Sequence, residues 1–166
     1  REGALICGQV PEWMPSLTGD SLEFNRLVRE IFHSARPNVY NYVSAADVLK
    51  ANGIRPDVVV SERQPVEGPA TDWRYVHRST DNAEIYWLNN RTDRSRSLTV
   101  TCRTAGMKPR LWHPETGTTE ELSYRVNSNE TTIYVDMVPN DAVFIVFQGV
   151  AQPTEQLLPA RHATPV

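Results

Sequence analysis

Seven short strand-like runs lie between residues 73 and 147, and they constrain the fold more than any other feature of the sequence. In the sixth run, Ile133, Val135 and Met137 alternate with more polar neighbours, so one face of the predicted strand is apolar and the other is polar. Such runs, separated by turns, are typical of an antiparallel β-sandwich. The runs cover residues 73–77, 83–89, 98–103, 109–112, 118–124, 132–138 and 142–147.

The first 60 residues follow a different pattern, in which strand-like and helix-like segments alternate. Residues 4–8, 38–42 and 57–60 are predicted strands, and 57–60 has the continuous apolar character of a central parallel strand. A helix is predicted over 21–33, with Asp20 as its N-cap, and a shorter helix follows Ser44. This order indicates a parallel β-α-β-α-β segment, about half of a doubly wound domain.

The predicted class is therefore α+β overall, a partial α/β segment followed by an antiparallel β-sandwich. We expect the C-terminal part of an α/β domain over 1–62 and a linker over 63–70, where prolines and a glycine interrupt any period. The sandwich occupies 71–148, and 149–166 is predicted to be a tail or connector. A start at Arg1, without a methionine or signal segment, leads us to expect a fragment of a longer protein.

Composition argues against several classes of partner. The 166 residues include 17 Lys and Arg against 20 Asp and Glu, a formal charge of −3, with no run of consecutive basic residues. We therefore expect no nucleic-acid partner and no membrane partner. The longest apolar runs are strand-sized, whereas a bilayer span needs about 20 residues.

Cysteines, histidines and glycines give no sign of a metal or cofactor. Cys7 and Cys102 each lie in a strand-like run, so we expect two buried, unpaired thiols. The candidate ligands His33, His113 and His162 lack companions at metal-binding spacing, and no nucleotide-binding motif surrounds Gly3 or Gly8. Asn90 and Asn129 begin triplets that match the glycosylation acceptor pattern.

Candidate catalytic groups can be assembled on paper but not into a convincing site. Acid/base glycoside hydrolysis needs two flanking carboxylates, and the candidates Glu84, Glu115, Glu120 and Glu121 are predicted to be solvated surface groups. Glu120 and Glu121 are adjacent, so they point to opposite faces of a strand.

A second arrangement on paper is a Ser79, His77 and Asp81 triad, but the sequence has no nucleophile elbow. A structural role for His77 is therefore preferred.

Aromatic residues concentrate in the early part of the β region. Trp73, Tyr75, Tyr86, Trp87 and Trp112 could fill the sandwich core or form an exposed platform on which sugars stack. Tyr86 and Trp87 are consecutive on a strand, so one of them faces away from the core that the other joins.

Several motifs, in this order and spacing, resemble the C-terminal region of large bacterial glycoside hydrolases of family 106, the α-L-rhamnosidases. A helix followed by Pro-Asp and a strand comes first, then a His-Arg pair, an Ile-Tyr-aromatic-x-Asn strand and a Trp-x-Pro-x-Thr-Gly turn. Here these are AADVLKANGIRPD at 45–57, WRYVHRST at 73–80, DNAEIYWLNN at 81–90, WHPETG at 112–117 and AVFIVF at 142–147.

The resemblance implies that catalysis lies in a preceding (β/α)-barrel, which this chain lacks, so no catalytic residue is carried over. It implies a non-catalytic supporting region of a parent enzyme that acts on plant-type polysaccharides in an extracellular or periplasmic location. The partner would be the catalytic barrel of the same parent chain.

Roles for individual residues complete the predictions. His77 and Arg78 are expected to fasten the sandwich to a neighbouring domain. Tyr86, Pro114 and Gly117 are expected to have structural roles, Tyr86 in its strand motif and Pro114 and Gly117 in the turn motif. The alternative is an autonomous carbohydrate-binding module that holds an oligosaccharide or polysaccharide on exposed Trp73, Trp87 and Trp112. The exposure of these three tryptophans separates the two hypotheses.

Overall fold

The computed structural model describes residues 4–14, 16, 18–34, 36–64 and 73–158. The chain divides into two compact units, Arg1–Arg55 and Pro56–Val166. The first unit mixes helices with a small parallel sheet, and the second consists of antiparallel strands. Much of the predicted linker, residues 65–70, and the end of the predicted tail, residues 159–166, lie outside the described residues.

The first unit contains both predicted helices. Strands β1 (Ile6–Gly8) and β2 (Val39–Asn41) pair in parallel, and α1 (Ser21–Phe32) lies between them in sequence, followed by α2 (Ala45–Ala51). The Asp20 side chain accepts hydrogen bonds from the first backbone N–H groups of α1, and the Ser44 hydroxyl does the same for α2. These contacts satisfy N–H groups that have no partner inside a helix. Both predicted caps are confirmed.

The predicted third parallel strand is wrong. Strand β3 (Val58–Glu62) pairs antiparallel with β6 (Arg96–Cys102), so the parallel sheet within the described residues has only two strands. A continuous run of valines suits a strand buried on both faces, but Val58 is buried whereas Val59 is exposed. Three consecutive valines are too few to separate a central parallel strand from an edge strand with one covered face. Consequently β3 belongs to the sandwich, and the compact units divide after Arg55 rather than near residues 63–70.

The antiparallel sandwich is confirmed. Among the described residues, sheet I has the strand order β12-β9-β10-β6-β3 and sheet II the order β4-β5-β11-β7-β8. The predicted run at 118–124 is two strands that join different sheets, with buried Leu122 between them. The strands not yet given are β4 (Arg74–Ser79), β5 (Ala83–Asn89), β7 (Met107–His113), β8 (Thr118–Glu121), β9 (Ser123–Val126), β10 (Thr131–Met137), β11 (Ala142–Val150) and β12 (Glu155–Gln156).

The core lies between the two sheets and is built by alternate residues of each strand. Sheet I contributes side chains such as Leu98 and Ile133, and sheet II contributes Leu88, Val143 and Ile145 to the same cluster. Because successive strand residues face opposite sides, the alternation in the sequence translates directly into this buried layer.

Both cysteines are free, as predicted. Cys102 is buried in the core, and burial raises the pKa of its thiol to about 12. Cys7 is exposed rather than buried; it lies on β1, one of only two strands in its sheet within the described residues.

Asn90 organises the loop that follows β5. Its side chain is 0% exposed and donates to the carbonyl oxygens of Arg94 at 2.8 Å and Val138 at 2.7 Å. Its amide oxygen accepts from the backbone N–H and the hydroxyl of Thr92, at 3.1 and 2.8 Å. All hydrogen-bonding capacity of the amide is therefore used inside the protein. This burial disfavours Asn90 as a glycan acceptor in the folded chain, whereas Asn129 is exposed.

We predict that Asn90→Ala lowers the free energy of unfolding by about 2–3 kcal/mol, because two partly buried carbonyl groups lose their donors. Chemical denaturation of the purified chain measures this difference. Asn129→Ala is the matched control, since it alters an exposed asparagine of the same triplet pattern and should change stability by no more than about 0.5 kcal/mol. Equal effects of the two substitutions would contradict the structural role of Asn90.

Candidate functional site

His77 occupies the centre of a polar cluster between the two sheets. Its Nδ1 lies 2.8 Å from Asp57 Oδ2, just before β3 of sheet I, and its Nε2 lies 2.7 Å from Glu84 Oε2, on β5 of sheet II. Arg103, just after β6, places Nη2 3.5 Å from the other oxygen of Asp57. His77 thus connects the sheets by contacting one carboxylate beside each of them.

Tyr86 lies against this cluster on the core side. Its ring stacks on the His77 ring with centroids 3.9 Å apart and meets Phe147 edge-on at 5.6 Å. The Tyr86 hydroxyl shares a 2.7 Å hydrogen bond with the Thr104 hydroxyl, beyond the end of β6 in sheet I. Burial raises the pKa of the Tyr86 phenol well above its usual range. Tyr86 therefore stays neutral and supplies a second polar contact between the sheets.

The cluster does not have the geometry of a nucleophilic triad. The Ser79 hydroxyl donates to Glu84 Oε2 at 2.5 Å, so its proton is directed to a carboxylate and not to His77. Asp81 is exposed in the turn after β4. A triad requires the nucleophile to contact the base and the base to contact an orienting group. Ser79, His77 and Asp81 are not arranged in this way.

The other candidate carboxylates are spread over the surface. Glu121 forms ion pairs with Lys108 at 2.8 Å and Arg110 at 2.7 Å, and these cations lower the pKa of its carboxyl to about 2. Glu120 lies 3.1 Å from His113 Nε2, and Glu115 is exposed in the turn after β7.

The part of the chain that the structure describes contains no cluster of three or more residues suited to a metal ion. Within the same residues, every helix is too short or too polar to cross a bilayer.

The three candidate sugar-binding tryptophans occupy different environments. Trp73 is partly buried and packs against the sandwich core. Trp87 on β5 and Trp112 on β7 both lie directly opposite Phe144 of β11, on the outer face of sheet II. Trp112 is 43% exposed, whereas Trp87 and Phe144 are partly buried. Trp87 and Trp112 therefore lie on the same face with Phe144 between them, and Phe144 was not predicted as a site residue.

The remaining motif residues lie at the edge of sheet II and in its turns. Arg78 is exposed, and its Nη1 donates to the His77 carbonyl at 3.1 Å. Pro114 opens the turn after β7, and Gly117 closes it with φ of +68°, where a side chain would be strained. The Gly117 N–H donates to the His113 carbonyl at 2.9 Å, so the turn forms as the sequence predicts.

Asp57 and Thr104 were not predicted from the sequence as partners of His77 and Tyr86. Asp57 directly follows Pro56, a pair that the motif at 45–57 contains. That motif was a usable signal for a fixed carboxylate, but nothing in the sequence indicated which residue it contacts. Thr104 had no comparable signal.

Comparison with known proteins agrees with these motifs. The family model described as alpha-L-rhamnosidase matches residues 1–126. A protein named putative beta-glucuronidase, from Formosa agariphila, is 27% identical over 97% of this chain, which spans 14% of that protein. The solved structure of a rhamnosidase from Novosphingobium sp. PP1Y superposes with a TM-score of 0.79 and 29% identity over 96% of this chain.

This chain spans 16% of the length of the Novosphingobium rhamnosidase, so it corresponds to a limited part of both relatives. The family model covers most of the chain, and the antiparallel sandwich, the His77 cluster and the Trp-x-Pro-x-Thr-Gly turn lie largely within the matched residues. The chain therefore belongs to the alpha-L-rhamnosidase family of glycoside hydrolases.

Proposed function

We propose that this chain is a non-catalytic supporting region of a larger glycoside hydrolase that acts on plant-type polysaccharides. One observation carries the proposal: the carboxylates of Glu84 and Glu121 are held by donors and cations that favour their ionised form. Glu84 accepts from Ser79 and His77, and Glu121 pairs with Lys108 and Arg110.

Glycoside hydrolysis needs the opposite electrostatic arrangement for one of its two carboxyl groups. The general acid must hold a proton near neutral pH, so its pKa has to be raised. The Ser79 hydroxyl, followed by His77, lowers the pKa of Glu84 against the raising effect of burial. Lys108 and Arg110 lower the pKa of Glu121. Both carboxylates are therefore suited to structural ion pairs.

The supporting role includes contact with the rest of the parent chain. The Arg78 guanidinium is exposed beside the His77 cluster, and its planar donor fork suits a carboxylate or a pair of carbonyl groups on a neighbouring domain. His77 itself is engaged within the sandwich, so we assign it to holding β4 in place and Arg78 to the contact with the catalytic domain.

We predict that the purified chain does not hydrolyse an aryl α-L-rhamnoside, because hydrogen bonds and ion pairs hold the Glu84 and Glu121 carboxylates in their ionised form. Release of the chromophore is measured over several hours against the buffer alone. If turnover is found and disappears in a single Glu→Gln variant at Glu84, Glu115, Glu120 or Glu121, the proposal is wrong.

The lowered pKa of Glu84 predicts how its contribution to stability depends on pH. A lowered pKa in the folded state gives stability that is present above the ordinary value of 4.5 and is lost as the pH falls below it. We expect Glu84→Gln to lower the melting temperature at pH 7 and the difference from the parent chain to shrink in more acidic buffer.

Thermal unfolding measured from about pH 3 to about pH 7 tests this effect, because that range spans the ordinary glutamate pKa. Glu115→Gln is the control, since Glu115 is exposed in a turn and should leave the melting temperature unchanged throughout. A pH-independent effect of Glu84→Gln would contradict the electrostatic role of the carboxylate.

A further inference from the structure

Three aromatic side chains form a row across the outer face of sheet II. Trp87, Phe144 and Trp112 are directly opposite one another on the neighbouring strands β5, β11 and β7. Residues paired in this way project from the same face, and neighbouring strands lie about 4.8 Å apart, so the row extends over roughly 10 Å. We call these three residues the aromatic strip. Val76 on β4 is opposite Trp87 and extends the row by one apolar side chain.

The aromatic strip is not part of the core. The core residues of the same strands, including Tyr86, Ile145 and Leu111, have the opposite parity and face sheet I. Trp112 leaves 43% of its surface in solvent, although tryptophan gains most from burial. Core filling, the alternative that the sequence left open, therefore accounts for Tyr86 and Trp73 but not for the strip.

Polar side chains border the strip on both sides. In the next cross-strand row, Arg78 stands at one end and the Arg110–Glu121 ion pair at the other, with Ile85 and Val146 between them. Glu121 is fixed there by Lys108 and Arg110, 2.8 and 2.7 Å away. On the other side of the strip, Arg74 lies opposite Asn89. Guanidinium, carboxylate and amide groups thus stand at the ends of the rows beside a narrow line of rings, while Val146 in the middle of one row is buried.

A line of aromatic rings with polar groups beside it suits an oligosaccharide ligand better than a docked protein. A pyranose ring has C–H groups on its faces, which suit the negative face of an aromatic ring, and hydroxyl groups around its edge, which need donors and acceptors. Binding sites for small polar ligands combine apolar rings with a few fixed polar groups in the same way. A docking protein would instead favour a broad apolar core with polar groups confined to its rim.

We infer that the aromatic strip is a carbohydrate-binding surface that holds an oligosaccharide across β5, β11 and β7. The inference rests on the proposed function, because the supporting region of a glycoside hydrolase is placed where polysaccharide is present. Trp112 and Trp87 stack on sugar rings, while Arg110 and Glu121 bond to hydroxyl groups at the edge. The proposed sugar-binding residues are therefore Trp87, Phe144 and Trp112, whereas the sequence predicted Trp73, Trp87 and Trp112.

The test is native affinity electrophoresis of the full chain in gels that contain a soluble rhamnose-containing polysaccharide, with hydroxyethyl cellulose as the comparison. We expect retardation in the rhamnose-containing gel and at least about tenfold weaker binding by Trp112→Ala, equivalent to about 1.4 kcal/mol. Trp13→Ala is the matched control, since Trp13 is 72% exposed in the other unit and should leave the retardation unchanged. Thermal unfolding establishes that each variant is folded.

Trp87→Ala provides a second variant, and it should weaken binding as Trp112→Ala does. The inference is overturned if neither polysaccharide retards the chain, or if folded Trp112→Ala and Trp87→Ala bind as tightly as the unmodified chain. It is also overturned if the strip tryptophans in the longer parent enzyme resist quenching by acrylamide, because the strip is then covered by the parent itself. Retardation is measured without hydrolysis, so failure here leaves the proposed non-catalytic role standing.

Discussion

The sandwich depends on polar contacts that cross from one sheet to the other at His77 and Tyr86. Hydrophobic burial brings the sheets together, but burial is non-directional and does not fix how they align. His77 contacts Asp57 across the sheets at 2.8 Å, and Tyr86 contacts Thr104 at 2.7 Å. The two rings stack on each other, so these contacts form a single unit. Together they set the position of sheet II, and hence of its outer face, relative to sheet I.

These contacts also explain why residues of catalytic type appear in a region that we consider non-catalytic. Histidine, serine and carboxylates recur in active sites, but here each satisfies another polar group of the fold. The hydroxyl of Ser79 is bonded to Glu84, and Glu84 is bonded to His77. The His77 contacts are partly buried, so loss of one of these partners would leave a polar group less well satisfied and would cost stability.

Local sequence signals predicted most of the elements, and long-range pairing accounts for the failures. The caps at Asp20 and Ser44 and the turn at Gly117 depend on neighbouring residues and were predicted correctly. The pairing of β3 with β6 joins residues about 40 positions apart, and a run of valines carries no information on which strand will pair with it. The predicted burial of Cys7 was wrong because it rested on the apolar character of its run, which does not show whether other elements cover the strand.

The candidate site was accessible from sequence only in part. The His-Arg motif directed attention to His77, and consecutive Tyr86 and Trp87 implied that one ring faces inward and the other outward. The structure confirms that division, with Tyr86 in the core and Trp87 on the outer face. Phe144 joined the aromatic strip only once the register of β11 with β5 and β7 was known, because cross-strand neighbours are set by register and not by distance along the chain.

A double-mutant cycle between His77 and Asp57 tests the central claim that these residues connect the sheets. The free energy of unfolding is measured in one buffer for the parent chain, His77→Ala, Asp57→Ala and the double variant. The exposed pair Arg125–Glu155 gives the control cycle and should be additive. The account predicts a coupling of at least about 1 kcal/mol for His77 with Asp57. Additive effects in that cycle would contradict it.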